Sequence, residues 1–369
     1  MREFLFQIDD QSYPIWLGKQ CRNEIVSGLR DFNASSYHVV TDQKVDRLHA
    51  SALCEQLSMH SPCHCWVVKE GESAKSLGTV EALAQSMVKA GVDRGSLIVA
   101  FGGGVVGNLA GLIAAMLFRG IRFVHVPTTL IAAADSVASL KQAVNLSVGK
   151  NLIGCYHAPL AVYIDIGYLQ TLSSEQVRSG MYEIIKNALV VSVDTIPLLE
   201  EILKVGAGYS SQELMTIVEC GLRAKQKVMR VDKCERNEAL VFEYGHTVGH
   251  AIELAAEGRV PHGEAVALGM VVAAEVSVRM GQLSIADRAV HHKLLSLNGL
   301  NVRLPDGVTV AAVMALLRMD NKRGYLTSGP QQIAMILLER LGDSAGPPRR
   351  PLVLVDASLL ESCISDCLA

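Results

Sequence analysis

Leu97-Ile98-Val99-Ala100-Phe101-Gly102-Gly103-Gly104-Val105-Val106-Gly107-Asn108 passes from an unbroken apolar run through a cluster of glycines into a second apolar run. The first run reads as a strand buried on both faces, because a strand with one wet face would alternate polar and apolar residues. Glycines at its end allow a tight turn and let backbone N–H groups approach a pyrophosphate at the start of a helix. The spacing is not the common Gly-x-Gly-x-x-Gly, so a tight turn packed under a helix remains open at this point. From Gly95 to Phe118 no residue is charged, long enough to suggest a membrane span. Five glycines and Asn108 interrupt it, however, and a buried strand, turn and short apolar helix explain it better. No membrane is expected.

The neighbouring sequence repeats the pattern. Tyr37–Asp42, Cys65–Lys69 and Arg122–Pro127 read as further strands, and Ser76–Ala90 has helical length and spacing. Strands separated by helices imply βαβ units and a mostly parallel sheet, with ligands beside the carboxyl ends of the strands. After about Asp165 long 3.6-residue periods take over: Ser174–Val191, Ser211–Val231, Thr247–Glu257, Gly263–Met280 and Ala286–Leu295, with a strand-like run only at Gln332–Leu338. The expected fold class is α/β: an N-terminal Rossmann-like parallel sheet domain over residues 1–165 and a mainly α-helical C-terminal domain over 166–369. Gly346–Pro351 reads as a surface loop, since its prolines continue neither helix nor central strand.

Composition narrows the function. The chain has 369 residues, half of them apolar, which suits two buried cores and excludes a disordered chain. A net charge of −3 provides no bulk field for nucleic acid or an anionic membrane. The 9 cysteines are odd in number and scattered, unlike a secreted disulfide framework, so a reducing cytoplasmic setting is expected. Cys63-His64-Cys65 resembles a metal fragment but has no second thiol pair nearby to complete four ligands.

Three clusters carry candidate chemistry. Pro127-Thr128-Thr129 places hydroxyls at the same sheet edge as the glycines, favouring a nucleotide. Lys141, Asn145, Lys150 and Asn151 supply point charges and amide donors suited to a phosphate, on flanks too apolar for a fully solvated loop. His246 and His250 lie four residues apart, on one helix face, with His262 and Glu264 shortly after; histidines so spaced can bind zinc. Glu183 stands in the apolar stretch Met181–Asn187, where an unpaired carboxylate is costly. A metal or the nearby Lys186 would partner it.

These motifs, with Asp135-Ser136, Glu183-x-x-Lys186, Gly245-His246-x-x-x-His250 and His262-Gly263-Glu264, occur in one order that resembles the sugar-phosphate cyclases related to 3-dehydroquinate synthase. The resemblance runs from about Asp42 to Lys322. It implies a dehydroquinate synthase-like fold, NAD held by Asp42, Glu72, Lys75, Gly103, Gly104, Val105, Asn108, Thr128, Thr129, Asp135 and Lys150, and one divalent metal, Zn or Co, on Glu183, His246 and His262. Lys141, Asn151, Lys186, Lys225 and His250 would bind phosphate and move protons, with Lys322 a weaker phosphate candidate. Arg119 matches a residue that reaches the neighbouring subunit's phosphate site, implying a homodimer.

Departures from the family pattern bear on substrate. Where dehydroquinate synthases carry a carboxylate-binding arginine seven residues before the first metal histidine, this chain has Ala239; where they carry asparagine three before it, it has Glu243. Loss of a guanidinium and gain of a carboxylate would repel a sugar acid, whereas Glu243 can accept hydrogen bonds from sugar hydroxyls. Ser139-Leu140-Lys141-Gln142 in place of Gly-Gly-Lys-Thr, and Asn108 in place of aspartate, look like the inosose-forming branch. The implied reaction takes glucose 6-phosphate through oxidation at the 4-hydroxyl, loss of phosphate, return of the hydride and aldol closure. Another cyclase of the family, a metal-dependent polyol dehydrogenase and a non-catalytic partner subunit are the alternatives.

Overall fold

A computed structural model describes residues 1–147, 149–317, 324–327 and 329–369, so Lys322 lies outside the described residues. Two compact units result: Met1–Leu172 with Ser210–Glu219, and Ser173–Tyr209 with Cys220–Ala369. The first extends past Asp165 to Leu172. Asp165 ends its last sheet strand there, and its carboxylate accepts the Gln20 and Cys21 N–H groups at 2.7 and 2.8 Å and that of Gly167 at 2.8 Å. The turn of helix that follows therefore stays with the sheet.

The sheet of the first unit is built from β1 (Arg2–Ile8), β2 (Gln11–Gly18), β3 (Tyr37–Asp42), β4 (Cys63–Val68), β5 (Leu97–Gly102), β6 (Arg122–Pro127) and β9 (Val162–Asp165). Its order is β1-β2-β9-β6-β5-β3-β4. Only the β1–β2 hairpin is antiparallel; every other pairing in it is parallel. Leu97, Val99 and Phe101 enter one apolar cluster while Ile98 and Ala100 enter the other, so β5 is buried on both faces. That two-sided burial is why it carries no polar alternation. β7 (Lys141–Leu146) and β8 (Gly149–Tyr156) form a separate antiparallel hairpin. Along β4, pleating sends Cys63 and Cys65 to one face and His64 to the other, where His64 stacks on His38 and Trp66.

The second unit is mainly helical, with a short antiparallel pair, Gln332–Met335 against Val353–Asp356. Its helices Ser174–Val190, His246–Ala255 and His262–Arg279 bear the chemistry-bearing side chains. The last of these is buried almost all round from Gly263 to Ser277, as an apolar helix at the centre of a core must be. Among the described residues no helix is long and apolar enough to cross a membrane. The Gly95–Phe118 stretch divides into β5 and the helix Gly104–Met116.

Candidate active site

In the first unit the glycine turn shapes a cradle lined by Gly102, Gly103, Gly104, Asn108, Ser136 and Lys141. Gly103 is the N-cap of the Gly104–Met116 helix, whose first turn includes Val105. A Cβ on Gly103 would lie 2.9 Å from Thr129 Cγ2, so a side chain there would close the approach to the helix N-terminus. Thr129 caps the next helix by accepting the Ala132 N–H at 3.2 Å. The Thr128 hydroxyl is buried and has no hydrogen-bond partner among the described residues. Exposed helix N–H groups beside an unsatisfied hydroxyl suit the pyrophosphate and ribose of a dinucleotide.

The other expected cofactor residues sit around this sheet edge. Asp42 ends β3, and its Oδ1 accepts from Lys44 and Val45 N–H, each at 2.9 Å. Asn108 is committed within the protein: its amide donates to the Gly104 carbonyl and accepts the Ala143 N–H, both at 2.9 Å, tying β7 to the helix. Glu72 accepts from Asn145 Nδ2 at 2.8 Å and lies 3.9 Å from Lys150 Nζ. Lys75, nearly buried, donates to Asn151 Oδ1 at 2.6 Å. The Lys141–Asn151 segment, expected to supply phosphate donors, is a hairpin. Asn145 serves to hold it, since its Oδ1 accepts the Asn151 N–H at 2.9 Å. Asn151 has φ 55, left-handed backbone that its neighbours must hold in place. Asp135 separates the short helix Leu130–Ala134 from the turn Ser136–Ala138.

The second unit brings Glu183, His246 and His262 together: one ligand atom from each lies within 4.8 Å of the others. Close helix approach makes this possible. A Cβ on Gly263 would stand 2.0 Å from the Ser179 carbonyl oxygen, so only glycine lets the His262 helix meet the Glu183 helix there. Gly245 adopts φ 77 immediately before His246, and a Cβ there would strike Met270 and the Val266 carbonyl.

Glu183 is 2% exposed, and its two oxygens have different partners. Oε2 is paired with the Lys186 ammonium. Oε1 makes no hydrogen bond but faces His246 Nε2 at 3.7 Å and His262 Nε2 at 3.5 Å. Burial opposes its ionisation, yet Lys186 and the two imidazoles hold its carboxyl well below the usual carboxylate range. Both readings of this residue, metal and lysine, are thus served by one carboxylate.

Each imidazole is also gripped from behind. His246 Nδ1 donates to the Tyr244 carbonyl at 3.1 Å, and His262 Nδ1 faces Glu253 Oε2 at 3.1 Å. Metal-ligating histidines are characteristically oriented in this way, the far nitrogen being left to the cation. Burial, with Lys186, pulls His246 down to about 4, keeping its ring neutral. Burial acts likewise on His262, but the facing carboxylates of Glu183 and Glu253 push it up to about 10. An unsatisfied carboxylate oxygen converging with two imidazole nitrogens is a donor set that fits a divalent cation of the zinc or cobalt type.

His250 lies beside this triad, its ring centroid 5.2 Å from that of His246 and 5.8 Å from that of His262. The i,i+4 pair thus contributes one ligand to the triad, His246. Glu264 is away from it; burial, with Glu175 nearby, raises its carboxyl above the usual range. Glu243 closes the turn Glu238–Glu243 and acts electrostatically on His246. The buried Lys225 places its ammonium 4.2 Å from the Phe242 ring centroid. Glu253, seven positions after His246 and hence on its helix face, is marked in the sequence only by that period. His291, which bonds the Tyr244 hydroxyl, had none.

Comparison with known proteins agrees with this geometry. Residues 65–179 match the profile of the 3-dehydroquinate synthase N-terminal domain and 180–323 that of its C-terminal domain. The chain belongs to the 3-dehydroquinate synthase family. Within it, the chain is 44% identical over 98% of its length to the 2-deoxy-scyllo-inosose synthase of Streptomyces fradiae, covering 84% of that protein. A crystal structure of 2-deoxy-scyllo-inosose synthase complexed with carbaglucose-6-phosphate, NAD+ and Co2+ superposes with TM-score 0.94 at 36% identity, each chain covered completely. The 2-epi-5-epi-valiolone synthase of Streptomyces hygroscopicus subsp. jinggangensis 5008, with NAD+ and Zn2+ bound, gives TM-score 0.83 at 26% identity over 96% of both chains.

Proposed function

We propose that this chain converts glucose 6-phosphate into 2-deoxy-scyllo-inosose and inorganic phosphate, as a carbon–oxygen lyase of aminocyclitol antibiotic biosynthesis. The carrying observation is the buried Glu183 Oε1 facing two imidazole Nε2 atoms, in a chain so similar to 2-deoxy-scyllo-inosose synthases. When bound, NAD supplies a hydride acceptor and donor, and a divalent cation supplies Lewis-acid polarisation of the oxygen being oxidised.

The chain's own residues do the rest. Glu183, with His246 and His262, holds the cation, while Lys186 keeps the carboxylate charged and oriented. His250, beside both histidines, is placed for proton transfer at the reacting sugar. Lys141, Asn151 and Lys225 supply phosphate contacts, and Glu243 accepts from sugar hydroxyls where Ala239 leaves no guanidinium for a substrate carboxylate. Gly103, Gly104, Val105, Thr128 and Thr129 cradle the dinucleotide pyrophosphate and ribose; Asp42, Glu72, Lys75, Asp135 and Lys150 complete its binding, with Asn108 acting through the hairpin it ties down. Arg119, at φ 68 in a strained Phe118–Gly120 turn, is assigned to the partner's phosphate in a homodimer, and the cytoplasm is the proposed location.

The test is phosphate release from glucose 6-phosphate with trace NAD+ and added Co2+ or Zn2+. Phosphate far exceeding NAD+, with no lasting NADH absorbance, is expected. NADH accumulating without phosphate would place the chain with the polyol dehydrogenases. Phosphate only from a seven-carbon sugar phosphate would overturn the reading of Ala239 and Glu243.

A further inference from the structure

We propose that Tyr244 and His291 form a buried relay that positions the metal ligand His246, making His291 a positioning residue for a cation it does not touch. The proposal rests on the reading of His246 as a ligand. His291 Nδ1 donates to the Asp287 carbonyl at 2.8 Å, leaving Nε2 as an acceptor. The Tyr244 hydroxyl donates to that Nε2 at 3.0 Å. The Tyr244 carbonyl accepts from His246 Nδ1 at 3.1 Å, which leaves His246 Nε2 with its lone pair toward Glu183 Oε1. The Asp287 carbonyl thus selects the His291 tautomer that accepts from the phenol, and the Tyr244 carbonyl selects the His246 tautomer that leaves Nε2 free for a cation; the two are joined through the position of Tyr244 itself.

Burial makes the relay stiff. Tyr244 and His291 are both 0% exposed, so neither can exchange its partner for bulk water. The helix Ile285–Leu297, which carries His291, supplies no ligand to the triad. The backbone carbonyl that grips His246 cannot be removed by substitution, but its position follows from where the Tyr244 side chain is anchored. Gly245 is the sole residue between them and adopts φ 77 in packing too tight for a Cβ, so the link from Tyr244 to His246 is short and closely confined. A shift of the phenol therefore moves the carbonyl, and with it the imidazole. Loss of such outer partners characteristically weakens metal affinity by about 10- to 100-fold.

The experiment titrates metal-depleted protein with Co2+, reading the dissociation constant and the visible d–d spectrum, for the wild type, Tyr244→Phe, His291→Leu, His291→Gln and His246→Ala. Circular dichroism establishes folding in each case. Tyr244→Phe keeps the ring and deletes the hydroxyl; it and His291→Leu should bind Co2+ about 10-fold or more weakly, with an altered spectrum. His291→Gln, which retains an acceptor for the phenol, should recover most of the affinity, a rescue that simple loss of stability would not produce. Folded Tyr244→Phe or His291→Leu protein with wild-type affinity and spectrum would overturn the relay; if one variant does not fold, the other decides. Unchanged Co2+ binding by His246→Ala would overturn the ligand reading itself. Loss of binding there with no effect at Tyr244 or His291 would overturn the relay alone.

Discussion

Replacing Glu253 with glutamine should weaken divalent-metal binding by about 10- to 100-fold, equivalent to about 1.4–2.7 kcal/mol. Glu253 is 8% exposed and its Oε2 lies 3.1 Å from His262 Nδ1. Glutamine keeps the length and an acceptor oxygen, so the ring keeps its orientation and only the charge is lost. Two consequences of that charge oppose each other. It makes Nε2 a better donor to a cation, but it also helps Glu183 raise His262, against burial, to about 10, so that a proton must leave before metal enters. With one proton displaced, wild-type apparent affinity should rise about tenfold per pH unit between pH 7 and 9. In Glu253→Gln that rise should end at lower pH, because one of the two carboxylates sustaining the proton has lost its charge. The two affinity curves therefore lie closest near pH 7 and farthest apart near pH 9. Titration of metal-depleted protein with Co2+, followed by visible absorption across that range, measures both. Superimposable curves from folded protein would refute the reasoning.

Three further outcomes follow from the same structure. Glu183→Gln should leave Lys186 buried without its carboxylate, abolish metal binding and turnover, and destabilise the fold by about 3–5 kcal/mol, seen by elemental analysis and urea unfolding; stoichiometric metal in the variant would contradict this. Gly263→Ala should cost about 1–3 kcal/mol and lower metal occupancy, because its Cβ would start 2.0 Å from the Ser179 carbonyl; unchanged urea midpoint and metal content would count against the close-approach argument. Burial pulls His125 and His291 each down to about 4, so between pH 6.5 and 4 the unfolded chain binds the protons that the folded chain refuses. Stability should fall as pH drops through that window, by about 2 kcal/mol per histidine at pH 5, and a flat urea midpoint from pH 7 to 5 in wild type would contradict it.

The sequence is most informative where one physical constraint dominates. Leu97–Phe101 has to be apolar on both faces, and the run announces a central parallel strand that extends to Gly102. The helices from Ser174 onward are legible as long runs without strand alternation, and the observed Ser174–Val190 and His262–Arg279, both buried over most of their surface, match the expected spans within a residue or so. The β1–β2 hairpin is hidden in the sequence because the apolar Leu5, Pro14 and Trp16 on its outer face mask the alternation of the buried Phe6, Ile8, Tyr13, Ile15 and Leu17. In the Lys141–Asn151 region the lysines and asparagines point to an anion site but mask the pairing of Gln142 with Cys155 and Val144 with Ile153 that makes it a hairpin. At the metal cluster, the local His246/His250 spacing was visible, whereas the convergence of Glu183 and His262 depends on Gly263 allowing two helices to touch, which no local period encodes. His291 is further still from any motif, since its partner is a tyrosine hydroxyl 47 positions earlier.

The central claim is that hydride leaves the substrate and returns to the same molecule. Glucose 6-phosphate carrying deuterium at carbon 4, turned over with unlabelled NAD+ in trace amount, tests it directly by mass spectrometry of the carbocyclic product. The account predicts one deuterium retained per product molecule and none accumulating in the cofactor. Product lacking deuterium, or label gathering in the nicotinamide, would contradict it.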